Sequence, residues 1–268
     1  MNRRESSRMR ERRLIRFNGR RGLILRLLAG ASALTLAGCD KISRSTWGPK
    51  ILRVGEAANF SAQHALTSKT GLAQEFSEAD LSPTFRSNGT DNPDNEEYQR
   101  HARSQFHDWR LRIHGLVRTP TELSLGDLRA MKSRTQITRH DCVEGWSAIA
   151  KWTGVPLSDI LNIVQPTGTA RYVVFHCADP MDESGARYYE SIGLEDAHHP
   201  QTILAYQLNG KVLPVANGAP IRVRIERQLG YKMAKFIMAI ELVDTFKHIG
   251  GGNGGYWEDQ GYEWYAGI

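Results

Sequence analysis

From Trp109 onward, short apolar runs with strand spacing follow one another closely, with only brief helical stretches between them. Trp109, Leu111 and Ile113 alternate with Arg110, Arg112 and His114. That period of two sends successive side chains to opposite faces. Residues 134–141 form a second extended run, and Tyr172-Val173-Val174-Phe175 reads as a buried strand. Residues 203–208 enter Asn209-Gly210 and leave through Lys211-Val212-Leu213, a hairpin signal. Ile221, Val223 and Ile225 alternate with Arg222, Arg224 and Glu226, and residues 234–243 are a further apolar run. Ser124-Leu125-Gly126-Asp127 reads as a helix start of capping-box type. Pro156 begins a short helical pattern that continues to Leu161. Regular β-α-β alternation is absent, so the sequence predicts a mixed α+β domain and argues against a doubly wound one.

The ends carry different information. The chain has a net charge of +6, but residues 1–38 hold ten Arg and two Glu, a net of +8 that leaves −2 for the rest. The basicity belongs to the leader, and no basic footprint remains for nucleic acid. Residues 1–39 read as an export signal: a basic stretch ending in Arg20-Arg21, then a short apolar run broken by Arg26. A membrane-spanning helix needs about 20 mostly apolar residues. Arg20-Arg21 with Leu23-Ile24 resembles a twin-arginine signal, though Gly19 stands where Ser or Thr is usual. Leu36-Ala37-Gly38-Cys39 resembles a lipobox, which predicts a periplasmic protein tethered to the inner membrane through Cys39. Residues 40–105 read as a loop segment wrapped on the core, and residues 106–268 as the core of a single domain. Residues 250–255 are glycine-rich, and an aromatic tail follows, with Tyr256, Trp257, Tyr262, Trp264 and Tyr265.

Two runs carry chemistry. Arg139-His140-Asp141-Cys142-Val143-Glu144-Gly145-Trp146-Ser147 places a thiol beside groups that favour and oppose a thiolate. Taken alone, this cysteine is a small apolar filler or a functional thiol with equal weight. His140, Cys142, His176 and Cys177 are chemically adequate for zinc, but contiguous strand residues point to opposite faces. A cysteine hydrolase would need a placed base, and His140, His176, His198 and His199 are available. The second run is Asn217-Gly218-Ala219-Pro220-Ile221-Arg222, with Gly230-Tyr231-Lys232-Met233-Ala234-Lys235 shortly after. Cations beside exposed amides make an anion cradle suited to a phosphate or pterin-phosphate. The same pattern is also an ordinary turn before a strand.

Together with Phe85-Arg86-Ser87-Asn88-Gly89, His114-Gly115-Leu116-Val117, Trp152-Thr153-Gly154-Val155-Pro156-Leu157 and Ala205-Tyr206-Gln207-Leu208-Asn209-Gly210, these runs resemble the sulfite-oxidase-fold molybdenum enzymes. Within them the resemblance is to the bacterial periplasmic branch that includes methionine sulfoxide reductase catalytic subunits, and it covers about residues 80–266. It implies a sulfite-oxidase-like α+β fold with one Mo-molybdopterin and Cys142 as the molybdenum ligand. By position, Asn217, Arg222, Met233, Ala234 and Lys235 would hold the pterin and its phosphate, with His140 and Lys232 inside the same runs. Arg86 and Asn88 would reach the metal pocket. Cys177 falls where the related reductase has a cofactor-contacting threonine, and an S–H is a weaker donor than a hydroxyl. The implied reaction is two-electron oxygen-atom transfer, on an S- or N-oxide such as methionine sulfoxide. Sulfite oxidation is the alternative and needs a cationic pocket from Arg86, Arg139 and Arg187. A metal-free, lipid-tethered binding protein is the alternative of another class. No Cys-x-x-Cys-His occurs, so electrons are expected from a separate partner, a membrane haem protein or a cytochrome c. The family's immunoglobulin-like dimerisation domain has no counterpart in these runs, which predicts a monomer.

Overall fold

A computed structural model describes residues 71–182 and 185–268, together with Val54, Gly55 and Ala58. The expected export signal over 1–39, Cys39 included, lies outside the described residues. Two compact units divide the chain, Met1–Ala65 and Leu66–Ile268. The first contributes only the three helical residues Val54, Gly55 and Ala58. Among the described residues no helix is long and apolar enough to cross a membrane.

Two five-stranded sheets make up the second unit. In the first, β1 (Arg110–Gly115) pairs in parallel with β10 (Ile237–Val243) and antiparallel with β2 (Thr121–Ser124). The strands β5 (Tyr172–Pro180) and β6 (Arg187–Gly193) extend it beyond β10. In the second sheet β3 (Arg134–Asp141) and β4 (Ser147–Pro156) form a hairpin, and β4 pairs with β7 (Ile203–Leu208). β7 also pairs with β8 (Lys211–Val212) and β9 (Arg222–Arg224). Short helices α1 (Glu96–Arg103), α2 (Leu125–Ala130), α3 (Leu157–Val164), α4 (Leu194–Ala197) and α5 (Tyr256–Asp259) complete the unit.

The local reasons match the sequence pattern where it was strong. Asn209 and Gly210 both have positive φ, as the two-residue hairpin turn requires. Ser124 caps α2, and Asp127 reaches back to its amide at 2.8 Å. In α3 the residues Leu157, Ile160, Leu161 and Val164 recur at helical spacing and are fully buried. They pack in one apolar cluster with Leu111 and Ile113 of β1 and Val173 and Phe175 of β5. Each such side chain contributes about 1.5–3 kcal/mol on burial.

Three elements were hidden in the sequence. β4 alternates, but three of its inward positions, Ala148, Ala150 and Gly154, are small residues that mask the apolar period around Trp152. β6 buries Glu190 and Ser191. α1 lies in the segment expected to be loop; Asn95 caps it by accepting from the Tyr98 amide at 2.9 Å, and Tyr98 and His101 are its buried residues. In β9 and just beyond it the polar residues of the alternation are not solvent-facing: Arg222, Arg224 and Glu226 are all buried.

Candidate active site

The turn of the β3–β4 hairpin carries Cys142. The Cys142 amide donates to the Trp146 carbonyl at 2.9 Å, and the Gly145 amide donates back to the Cys142 carbonyl at 3.0 Å. Gly145 has φ +83°, a conformation that glycine adopts without a Cβ penalty. Asn88 Nδ2 donates to Cys142 Sγ at 3.3 Å and so stabilises negative charge on the sulfur. The segment holding Asn88 is anchored by neighbours on both sides. Phe85 packs edge-on to Trp152 and His140, with ring centroids 5.0 and 5.5 Å away. Lys235 Nζ donates to the carbonyls of Asn88 at 2.7 Å and Ala216 at 3.2 Å.

A buried charge network stands behind the cysteine. Arg224 donates to both carboxylate oxygens of Glu226, at 3.0 and 2.6 Å, and its Nη1 donates to His140 Nδ1 at 2.9 Å. Burial, then Arg224 and Arg222, hold the His140 pKa well below the usual imidazole range, so the ring is neutral. Gly230 lets the next turn approach this ring: a Cβ there would collide with His140 Nε2 and lie 2.5 Å from Cε1. Arg222 donates to the carbonyls of Asn217 and Met233, both at 3.2 Å. Burial and Arg224 lower its pKa to about 9, which leaves it charged near neutrality. Burial and Arg222 lower that of Lys235 to about 8.

Arg86, Asn88, His140, Cys142, Arg222, Met233 and Lys235 all line one cavity of about 220 Å³. Asn217 lies behind its wall, next to the lining residue Ala216. Ala234 does not line the cavity; its carbonyl accepts from the Val223 amide at 3.0 Å. Lys232, expected beside the cofactor, has a fully buried side chain that donates to Glu190 at 2.5 Å and to Glu258. A buried ammonium needs carboxylate partners, and these two claim it. Cys177 lines a different cavity of about 560 Å³ with His176 and Glu241. Burial raises its pKa well above the ordinary thiol value, which keeps the S–H protonated. His176 Nε2 pairs with Glu241 at 2.8 Å, and among the described residues no group of three or more His, Cys, Asp or Glu is placed to hold a metal ion. The four-residue zinc set is therefore not assembled.

Several cavity residues had no assigned role in the sequence reading. Glu144 and Trp146 follow Cys142, Asp179 ends β5, Tyr188 belongs to β6, and Trp257 and Tyr262 come from the aromatic tail. The tail's density of aromatic residues was the available signal. Asp179 gave none, because its importance lies in burial, which pushes its pKa up to about 6.

A group with hydrogen-bond acceptors suits this site. Asn217 Nδ2 and Arg222 Nε are buried donors with no acceptor, and such orphans are costly unless a ligand satisfies them. A soft thiol and a guanidinium with an unpaired Nε in one cavity, with the unpaired Asn217 amide beside the lining residue Ala216, fit a metal-bearing pterin with its phosphate. The group would be held through Cys142 at the metal end and through Arg222 and Asn217 at the phosphate or pterin.

Comparison with known proteins agrees. Residues 98–248 match the family model of the oxidoreductase molybdopterin binding domain. The chain is 43% identical over 159 residues to a protein of Azospira oryzae named as a candidate protein-methionine-sulfoxide reductase subunit; the match covers 59% of this chain and 56% of that one. It is 37% identical over 178 residues to the protein-methionine-sulfoxide reductase catalytic subunit of Ralstonia nicotianae, covering 63% and 53%. With the catalytic subunit of Xanthomonas axonopodis pv. citri it shares 33% identity over 231 residues, covering 82% and 69%. The chain thus spans about half the length of the first two relatives. Mo-molybdopterin is the cofactor this domain binds, and the chain belongs to the family of molybdopterin-binding oxidoreductases with the sulfite-oxidase-like α+β fold.

Proposed function

We propose that this protein is an exported catalytic subunit that reduces an S- or N-oxide, methionine sulfoxide among them, with Cys142 as the protein ligand of molybdenum. The observation that carries the reading is Cys142 Sγ, 3.3 Å from Asn88 Nδ2, in a cavity also lined by Arg222, whose buried Nε lacks an acceptor. The relatives' names supply the substrate class.

When bound, the cofactor supplies two-electron oxygen-atom transfer. The chain's own residues hold and tune the site. Asn88 fixes the sulfur and stabilises charge on it. His140, neutral and tied to Arg224, adds polar packing without adding charge. Arg222 supplies the fixed positive charge for an anionic end of the ligand, and Lys235 holds the Asn88 loop in place. The aromatic residues Trp146, Tyr231, Trp257 and Tyr262 line the cavity and give it apolar walls that limit water.

The sulfite alternative asks for three converging arginines. Only Arg86 lines the cavity; Arg139 pairs with Asp141 at 2.9 Å, and Arg187 lines the other cavity. A thioether oxide is neutral and needs no such cluster. Electrons would come from a separate partner, a membrane haem protein or a cytochrome c. The leader supports export with the cofactor already loaded, and Cys39 supports a tether at the inner membrane.

Metal and pterin analysis of the exported protein, made in cells with a working pterin pathway, tests the cofactor assignment. About one molybdenum and one pterin per chain are expected. Methionine sulfoxide with a reduced viologen dye, run beside sulfite with cytochrome c, tests the substrate. Turnover in the second assay alone would overturn the reductase reading.

A further inference from the structure

Behind the cavity wall three ionisable side chains meet in dry protein. Lys232 Nζ donates to Glu190 Oε1 at 2.5 Å and to Glu258 Oε1. The side chains of Lys232 and Glu190 are 0% exposed and that of Glu258 is 1% exposed. Two carboxylates and one ammonium leave one excess negative charge, and an uncompensated buried charge costs about 3–5 kcal/mol. One carboxyl that keeps its proton makes the set neutral. Glu258 Oε2 is buried and has no hydrogen-bond partner. A methyl group on Gly255 would meet both Glu258 Oε2 and Glu190 Oε1, so these two oxygens lie close together. Burial, against the pull of Lys232 and with Glu258 as the neighbouring acid, drives the Glu190 pKa well above the carboxylate range.

The set reaches the cavity through Tyr188. This residue lines the cavity; its hydroxyl donates to the Tyr231 carbonyl at 2.5 Å and sits 3.5 Å from Glu190 Oε2. The latter distance is at the long end for a hydrogen bond. Burial, then Glu190, Glu258, Cys177 and Asp179, hold the Tyr188 pKa well above the phenol value. The residue therefore remains a neutral hydroxyl, able to accept one proton while giving up another.

We infer that Glu190, Glu258 and Lys232 form a one-proton store that feeds the cavity through the Tyr188 hydroxyl. This rests on the oxide-reduction reading. Reduction of a sulfoxide takes two electrons and two protons, breaks the S–O bond and releases the oxygen as water. The partner supplies the electrons. For one proton, the carboxyl O–H breaks as the Tyr188 oxygen accepts, and the Tyr188 O–H breaks as its proton passes to the departing oxygen. The other proton enters from bulk solvent once the entrance reopens, and the oxygen then leaves as water. A protein-borne oxide that fills the aromatic-lined entrance excludes solvent, so an internal donor matters at that stage. The store refills through Tyr188 once the entrance reopens. Lys232 is a positioning residue here, since it holds the two acids together.

Infrared spectroscopy of the protein at about pH 8, where an acid with the pKa of Asp179 is ionised, reads the store directly. The wild type is expected to show the carbonyl stretch of a protonated carboxyl. Glu190→Gln and Glu258→Gln are each expected to abolish it, because one carboxylate then balances Lys232. No such band in the wild type, or its persistence in both variants, overturns the store. For the route, holoenzyme carrying Tyr188→Phe is expected to keep its molybdenum, pterin and melting temperature. Its kcat with a sulfoxide falls about tenfold or more, with little change in KM and a larger solvent isotope effect. An unchanged kcat and isotope effect would overturn the route. The infrared arm needs no substrate, so failure of the sulfoxide assay removes the proposed reaction and leaves the store to be judged by itself.

Discussion

Cys142 shows what a single residue contributes. The sulfur is a soft ligand, and the only thiol, in a cavity lined by polar side chains, aromatic rings and the thioethers of Met181 and Met233. Cys142→Ser replaces it with a harder, far less acidic group but leaves Arg222 and Asn217 untouched. Turnover should fall by more than about 100-fold while most of the pterin stays bound. Steady-state kinetics beside a pterin assay checks this, and wild-type turnover would place the metal ligand elsewhere. The sequence made Cys142 conspicuous through the residues around it. It left Asp179 and Glu190 unmarked, because an isolated acidic residue looks the same whether solvated or buried.

At the scale of elements, the site depends on two turns pressed together. The short 3-10 turn Gly230–Lys232 lies against the end of β3, and only the missing side chain of Gly230 allows that approach. Gly230→Ala drives a methyl group into the His140 ring. His140 is 4% exposed and held by Arg224, so it has little room to yield. The variant should lose about 1–3 kcal/mol of stability, with lower pterin retention, measured by denaturant unfolding and pterin content. A fully stable, fully loaded variant would show that the two turns part easily. Elements with strong apolar periods, such as β1, β5 and the β7–β8 hairpin, were legible from the chain alone. β4 was not, because alanine and glycine fill three of its inward positions and leave little apolar contrast to read.

Over the whole molecule, burial of charge sets the pH response. Asp179 is 5% exposed, and burial raises its pKa to about 6, against the opposing pull of Lys235. Its folded-state value exceeds the unfolded one of 3.8, so the folded protein binds this proton more tightly. That contribution is complete below about pH 4 and lost as pH rises through about 6, a difference on the order of 3 kcal/mol. Asp179→Asn does not titrate. Its melting temperature relative to wild type should therefore climb between about pH 4 and pH 6 and level off above. A pH-independent difference, or one that falls over this range, would mean that Asp179 is solvated. The sequence by itself determined the α+β class, most strands, and the two runs that carry chemistry, because these are written in local periods and turn residues. Only the tertiary structure decided that Lys232 pairs with two glutamates, that Cys177 lines a different cavity from Cys142, and that Trp257 and Tyr262 of the aromatic tail reach the site. Those outcomes depend on which side chains lose water together, and contacts between residues far apart in the chain leave no mark in its local pattern.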